Sequence, residues 1–261
     1  MAFTCYNETM NPNRAECMTN TTQTRLIYKK APIVEAVIDI RFDPLKSIEF
    51  SQFEGTIRHA LPNDYSFDCL QNEYEFKLGV NTSEKTHQTR GLRFKSTDGG
   101  RILQLRPTGF SLSKLAPYDR WEPFIAESKR LFTIYHSTLP VKNIFRVAVR
   151  FINRFDLPGP SVDLSNYLKI FPQFPDGNNL TSLAMQVSFN QSNPDTTLII
   201  REALAPPYKP NAISILFDID LFHEMEKPYS EDLWSVLELL HIRKNEAFEN
   251  AITEKMRQLI L

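Results

Sequence analysis

An α+β fold in two similar halves is predicted by three features of the chain. Short stretches that alternate apolar and polar residues recur in runs, as antiparallel strands require. Each run is closed by a longer segment of helical period, and strands followed by helices indicate an α+β class. The two closing segments also begin alike, "APYDRW" at 116–121 and "KPYSEDLW" at 227–234. Each holds Pro-Tyr, then a capping residue (Asp119 or Ser230), then one of the 2 tryptophans of the chain. The expectation is a tandem duplication of a β-α-β-β-β-α unit, with antiparallel sheets and helices packed on one side. It divides the chain into a tail over 1–28, a first α+β half over 29–140 and a second over 141–261, with the boundary near Leu139–Lys142.

The tail is polar, rich in Asn and Thr and poor in large apolar side chains, so it is expected to be disordered. Order begins at "APIVEAVIDIRF" (31–42). There Ala36, Ile38, Ile40 and Phe42 alternate with Glu35, Val37, Asp39 and Arg41, a half-buried strand. A helix is predicted at about 48–60, with Ser47 as N-cap and Phe50, Phe53, Ile57 and Leu61 on its apolar face. Strands are predicted at about 66–79, 90–97, 101–106 and 109–115, with "TDGG" (97–100) as a tight hairpin turn. A helix from Asp119 to about Thr138 closes the half. Its start has a capping box, Asp119 with Glu122, and Pro123 in the first turn.

The second half repeats this order. A strand at 144–155 leads to a short helix near 163–170, then to strands at about 182–190, 196–203 and 212–220. "QSNPD" (191–195) takes the place of the hairpin turn, and one long helix runs from Ser230 to about Gln258.

The chain of 261 residues is 42% hydrophobic and 23% charged, with a net charge of −1 and a pI near 6.5. Such a balance implies no general attraction to nucleic acid or to an anionic membrane. No window approaches the roughly 18 unbroken apolar residues of a membrane span. The first residues lack the basic start and apolar core of a secretory signal. Cys5, Cys17 and Cys69 have no metal-ligand spacing and suit a reducing, cytoplasmic setting.

Three blocks, "PIVEAVIDIRF", "RFINRFDLP" and "LLHIRKNEAFENAIT", resemble the signature blocks of a sporadically distributed bacterial family of uncharacterised proteins of about this length. The resemblance covers residues 31–257. It implies a bacterial cytoplasmic protein, patchily inherited, of the kind found as accessory or mobile-element cargo, including defence and toxin–antitoxin components. It supplies no catalytic residues.

The candidate site residues come from two places. In "IFRVAVRFINRFDLP" (144–158), Arg146, Arg150 and Arg154 share one strand face with Ala148 and Ile152. Phe145, Val147, Val149, Phe151 and Phe155 form the other, core-facing side together with Asn153. One reading of the arginines is a solvated face whose cations pair with Glu35 and Asp39 across the sheet. Partly exposed pairs are worth roughly 0–1 kcal/mol each, so on this reading Arg150→Gln is nearly neutral. The other reading is a face that grips a phosphate, a carboxylate or an acidic peptide, for which the planar guanidinium fork is suited. In "LLHIRKNEAFENAIT", His241, Lys244 and Asn245 are candidates on a helix, either to dock that helix or to take part in binding or acid–base chemistry.

Other motifs are weaker. His59, His87, His136, His223 and His241 have no metal spacing, and no metal or other cofactor is expected. Asp218 and Asp220 share a strand face at a spacing able to hold a divalent cation, although a solvated strand edge explains them better. "ALAPPYKPN" (203–211) is a proline-stiffened connection that presents Tyr208. The function expected is a binding or interaction protein for a protein partner or a small anionic ligand, without nucleic acid or membrane, and with a homodimer as one form. The alternatives are an enzyme that uses the arginines as anion clamp and His241 as acid or base, and a small-molecule sensor with a pocket between the halves.

Overall fold

In the computed structural model the described residues are 28, 30–44, 48–78, 83–159, 161–173, 180–192, 195–208 and 210–261, without the side chains of 74–78 and 83–87. The predicted tail up to residue 27, Ser47, the thiols of Cys5 and Cys17, the His87 side chain and the centre of "QSNPD" lie outside them.

The strands are β1 (Ile33–Phe42), β2 (Tyr65–Leu78), β3 (Ser83–Ser96), β4 (Arg101–Arg106), β5 (Gly109–Leu115), β6 (Asn143–Pro158), β7 (Ala184–Gln191), β8 (Thr196–Ala205) and β9 (Ala212–Pro228). They form one sheet in the order β2-β3-β4-β5-β1-β6-β9-β8-β7, and every neighbouring pair is antiparallel. Outward from β1 come β5, β4 and β3; outward from β6 come β9, β8 and β7. β1 thus lies beside β5, and β6 beside β9. β2 adds a further strand on one side only.

The helices α1 (Phe50–Ala60), α2 (Trp121–Thr138), α3 (Asp232–Ala251) and α4 (Glu254–Ile260) supply the second layer. The inward side chains of the central strands alternate without a break. Ala36, Ile38, Ile40 and Phe42 on β1, Val147, Val149, Phe151 and Phe155 on β6, and Ile215, Phe217, Ile219 and Leu221 on β9 are all 2% exposed or less. α2 closes over them through Phe132, which meets the rings of Phe42 and Phe110 edge-on. α3 closes through Phe248, packed on Phe155 and Phe217.

The two tryptophans bind the helices to each other in reciprocal fashion. Trp121 of α2 stacks on His241 of α3, with centroids 4.1 Å apart and planes 12° from parallel. Its indole N–H donates to Glu238 of α3 at 2.8 Å. Trp234 of α3 meets Phe132 of α2 edge-on, with Lys129 of α2 over its face.

Several local expectations are corrected. α2 starts at Trp121 behind an extended Arg120, so the capping box of Asp119 and Glu122 does not form. α1 is preceded by Glu49, which makes no side-chain cap. The short helix near 163–170 is a single 3₁₀ turn, Leu164–Asn166, capped by Asp163. The last helix starts at Asp232, and it is two helices. Ile252 leaves helical geometry to bridge Leu168, while Lys169 N–H donates to Ala251 and Thr253 N–H to Tyr167. Thr253 then caps α4 by accepting from Met256 N–H. The strand predicted at 212–220 extends to Pro228. Phe145 is not core. The register of β6 shifts between Ile144 and Arg146, so Ile144 takes the inward place and Phe145 is left 42% exposed.

Candidate functional site

The face of the sheet away from the helices is charged at its centre, and strand register explains how. Directly opposed residues of antiparallel strands project to the same side. On β1 and β6, Val37 opposes Arg150, Asp39 opposes Ala148 and Arg41 opposes Arg146. On β6 and β9, Ile152 opposes Asp218 and Arg150 opposes Asp220, while Arg201 on β8 opposes Asp218. The outward positions of β1, β6, β8 and β9 therefore meet as one ladder of arginines and aspartates.

At one end, Asp218 is nearly buried, 5% exposed, and is held by two arginines. Arg150 donates to both of its oxygens, Nε to Oδ1 at 2.9 Å and Nη2 to Oδ2 at 2.7 Å, and Arg201 Nη1 reaches Oδ2 at 3.2 Å. The hydrogen bonding to Asp218 raises the Arg150 pKa above its ordinary value. Asp220 is less well satisfied. Arg201 and Arg146 stand 3.5 and 3.6 Å from it, and burial pushes its carboxyl up even with these cations near.

At the other end three guanidinium groups share one carboxylate. Asp39 accepts from Arg41 Nε at 2.7 Å and Arg146 Nη1 at 3.1 Å, and Arg106 Nη2 stands 3.6 Å away. Arg106 reaches this place from β4, and its Nε is buried without a hydrogen-bond partner. Burial, and then the neighbouring Arg41, lower its pKa. Positive charge is thus concentrated at this end beyond what Asp39 offsets.

Between the two ends lies an open recess of about 290 Å³ that straddles the β1–β6 junction. Glu35, Asp39, Arg41, Arg146, Arg150 and Asp220 carry its charges, and Gln104, Ser111 and Ser113 add polar groups from β4 and β5. The two serines lie 6% and 3% exposed. Chemically the recess offers convergent N–H and hydroxyl donors to an anion.

The predicted site residues are separated into three groups. Arg146 and Arg150 belong to the recess. Arg146 takes Asp39 as partner, but Arg150 takes Asp218, so the two aspartates considered for a cation are engaged by arginines instead. Arg154 lies beyond the recess. It donates to the Pro206 carbonyl, to Ser214 Oγ at 2.9 Å and to Asp156 at 3.2 Å, and its guanidinium lies 3.4 Å over the ring of Tyr208. Tyr208, 74% exposed, is thus fixed on its proline-rich loop by an arginine beneath it. His241, Lys244 and Asn245 sit on the opposite side of the sheet. His241 and Lys244 are 4% and 5% exposed, Lys244 Nζ lies 3.6 Å over the Phe151 ring, and Asn245 contacts both residues. The sheet itself stands between this helix-docking cluster and the arginines.

Arg41, Arg106 and Arg201 were not anticipated as members of the site. Arg41 had a signal, since it lies two residues from Asp39 on the same strand face. The contributions of β4 and β8 depend on strand order, which local pattern does not give. Glu202 is a second omission. It occupies an inward position of β8, after Leu198 and Ile200, is 1% exposed, and both its oxygens lack a hydrogen-bond partner. Burial raises its pKa to about 7.

Among the described residues no group of three or more His, Cys, Asp or Glu is placed to hold a metal ion. No described helix is long and apolar enough to cross a membrane. Compared with known proteins, the chain matches no family model and no curated protein.

Proposed function

We propose that the protein is a binding or interaction protein, and that the recess on its open sheet face holds the anionic group of a small ligand or of a protein partner. The observation that carries this reading is the convergence of Arg41, Arg106 and Arg146 on the single carboxylate of Asp39, with Arg106 Nε left unpartnered. Among the described residues Arg41 and Arg106 reach a carboxylate only at Asp39, which Arg146 shares, whereas Arg150 and Arg201 have both Asp218 and Asp220 nearby. A cluster with surplus guanidinium groups beside two buried serines is suited to a phosphate or carboxylate.

The same reading extends to the origin of the site. The matching outward orders β1-β5-β4-β3 and β6-β9-β8-β7, together with the reciprocal contacts of Trp121 and Trp234, support an internal duplication with the recess at its pseudo-twofold junction. The resemblance of the three sequence blocks supports a bacterial, cytoplasmic, accessory or mobile-element role. The position of the recess between the halves favours a sensor of a small anion as the second reading.

A thermal-shift screen of nucleotides, phosphosugars, dicarboxylates and acidic peptides tests the proposal. At least one of these anions is expected to raise the melting temperature of the wild type, because a ligand bound to the native state stabilises it. Arg41→Gln should lose that shift and Arg257→Gln, far from the recess, should keep it. A shift that Arg41→Gln retains in full, or a screen without any stabilising anion, overturns the proposal.

A further inference from the structure

The recess is not uniform along its length. Alternate residues of β1 line it in order, Glu35, Val37, Asp39 and Arg41, so its long axis follows that strand. At a rise of about 3.3 Å per residue, Glu35 and Arg41 stand about 20 Å apart along the strand. Short side chains shape the middle, Val37 of β1, Ser111 and Ser113 of β5 and Ala148 of β6.

The two ends differ in charge. In the connected ladder Arg41, Arg106, Arg146, Arg150 and Arg201 stand against Asp39, Asp218 and Asp220, which leaves two positive charges over. The surplus lies toward Asp39, because Arg150 and Arg201 have Asp218 and Asp220 beside them.

Glu35 lies outside this ladder. It opposes Leu115 on β5 and Ile152 on β6, neither of which carries a charge. Among the described residues no cation stands within ion-pair distance of Glu35, and its carboxylate accepts no hydrogen bond. Arg150 is the cation whose charge it favours, but that guanidinium is committed to both oxygens of Asp218. A half-buried carboxylate without a partner therefore stands in line with an excess of guanidinium groups, and the recess is bipolar.

We infer that the ligand of the recess is a phosphorylated amine, its phosphate at the Arg41 and Arg146 end and its ammonium at Glu35. The inference rests on the anion reading above and adds the second charge to it. A phosphate monoester carries close to two negative charges above pH 7, which matches the surplus, and it can accept from several guanidinium groups at once. An ammonium brings three N–H donors and no acceptor, the complement of an unpartnered carboxylate. The chain between the two groups crosses Val37 and Ala148, which offer it no charge. A volume of about 290 Å³ suits a small molecule of this kind.

Calorimetric titration of the full chain with two series of probes tests this: unbranched alkyl phosphates of two to six carbons, and the ω-aminoalkyl phosphates of the same lengths. The wild type should bind at least one aminoalkyl phosphate about fivefold more tightly than the alkyl phosphate of equal length, the gain from one partly exposed ion pair. Glu35→Gln should bind the two alike, and Arg41→Gln should lose both. ω-Amino carboxylates of matching span, with a single negative charge, should bind the wild type more weakly than the aminoalkyl phosphates. Alkyl phosphates that bind as tightly as their amino counterparts at every length, an amine advantage that Glu35→Gln retains, or amino carboxylates that bind as well would overturn the inference and leave the anion reading standing. Binding that Arg41→Gln retains in full, or no binding by any phosphate, would overturn both.

Discussion

Arg146 Nη1 donates to Asp39 Oδ1 at 3.1 Å and so ties β6 to β1 at the centre of the sheet. The same carboxylate also serves Arg41 and Arg106, so its removal leaves three guanidinium groups without a common counter-ion. Asp39→Asn is expected to cost about 1–3 kcal/mol at low ionic strength, the range for unpairing sequestered polar and charged partners. Phosphate should then stabilise the variant more than it stabilises the wild type. Urea unfolding in chloride and in phosphate measures both effects, and an equal gain for the two proteins would contradict the account.

The pair of Arg150 and Asp218 calls for a different expectation from the one an exposed pair would justify. Arg150 is partly exposed, but the Asp218 side chain retains only 7% of its accessible surface, so the loss falls on the buried partner. Arg150→Gln should destabilise by about 1–3 kcal/mol, because Asp218 keeps only the single contact from Arg201. Adding Asp218→Asn should recover part of this loss. A double-mutant cycle by chemical denaturation reads the coupling, and additive losses would show that the two side chains do not interact.

Glu202 predicts a pH dependence of stability. Burial raises its pKa from 4.5 to about 7, so the native state holds the proton more tightly than the unfolded chain does. Its contribution is therefore unchanged below pH 4.5, becomes unfavourable as the pH rises towards 7, and is constant above that. Glu202→Gln should remove this fall and be more stable above pH 7 by roughly 3 kcal/mol at most. Unfolding free energies measured from pH 4.5 to 8 should converge for the two proteins at the acid end. Curves that stay parallel across the range would refute the assignment.

Trp121 joins the two closing helices through its stack on His241 and its bond to Glu238. Trp121→Ala should cost about 3–5 kcal/mol, as for other buried aromatic truncations. His241→Phe preserves a ring against the indole and should cost under about 1.5 kcal/mol. A large loss with His241→Phe would mean that the imidazole nitrogens, and not the stacked ring, hold the helices together.

Much of this architecture could be read from the chain because it rests on local periodicity. The alternation at 35–42 and 144–155 gives the two central strands and, Phe145 apart, their inward faces. The helical spacing of Phe124, Leu131 and Tyr135 gives α2 its buried stripe. What was not legible depends on contacts distant in sequence. Ile252 interrupts the last helix because Leu168 bridges to it, although Thr253 followed by Glu254 is a local sign of a new helix start. Phe145 is turned outward by a register shift against two neighbouring strands. The recess needed strand order above all. Arg146 and Arg150 could be placed on one face from spacing alone, but Arg106 reaches Asp39 only because β4 and β5 fold back beside β1.

The central claim is that the Arg41, Arg106 and Arg146 end of the ladder receives an anion. The most direct measurement is an NMR titration of the arginine Nε–Hε resonances with inorganic pyrophosphate. The account predicts saturable shifts for Arg41, Arg106 and Arg146, while Arg154, held by Asp156, Ser214 and the Pro206 carbonyl, and Arg257, paired with Glu249, remain in place. Unmoved resonances for the three arginines around Asp39, or a uniform drift of all arginines with ionic strength, would contradict it.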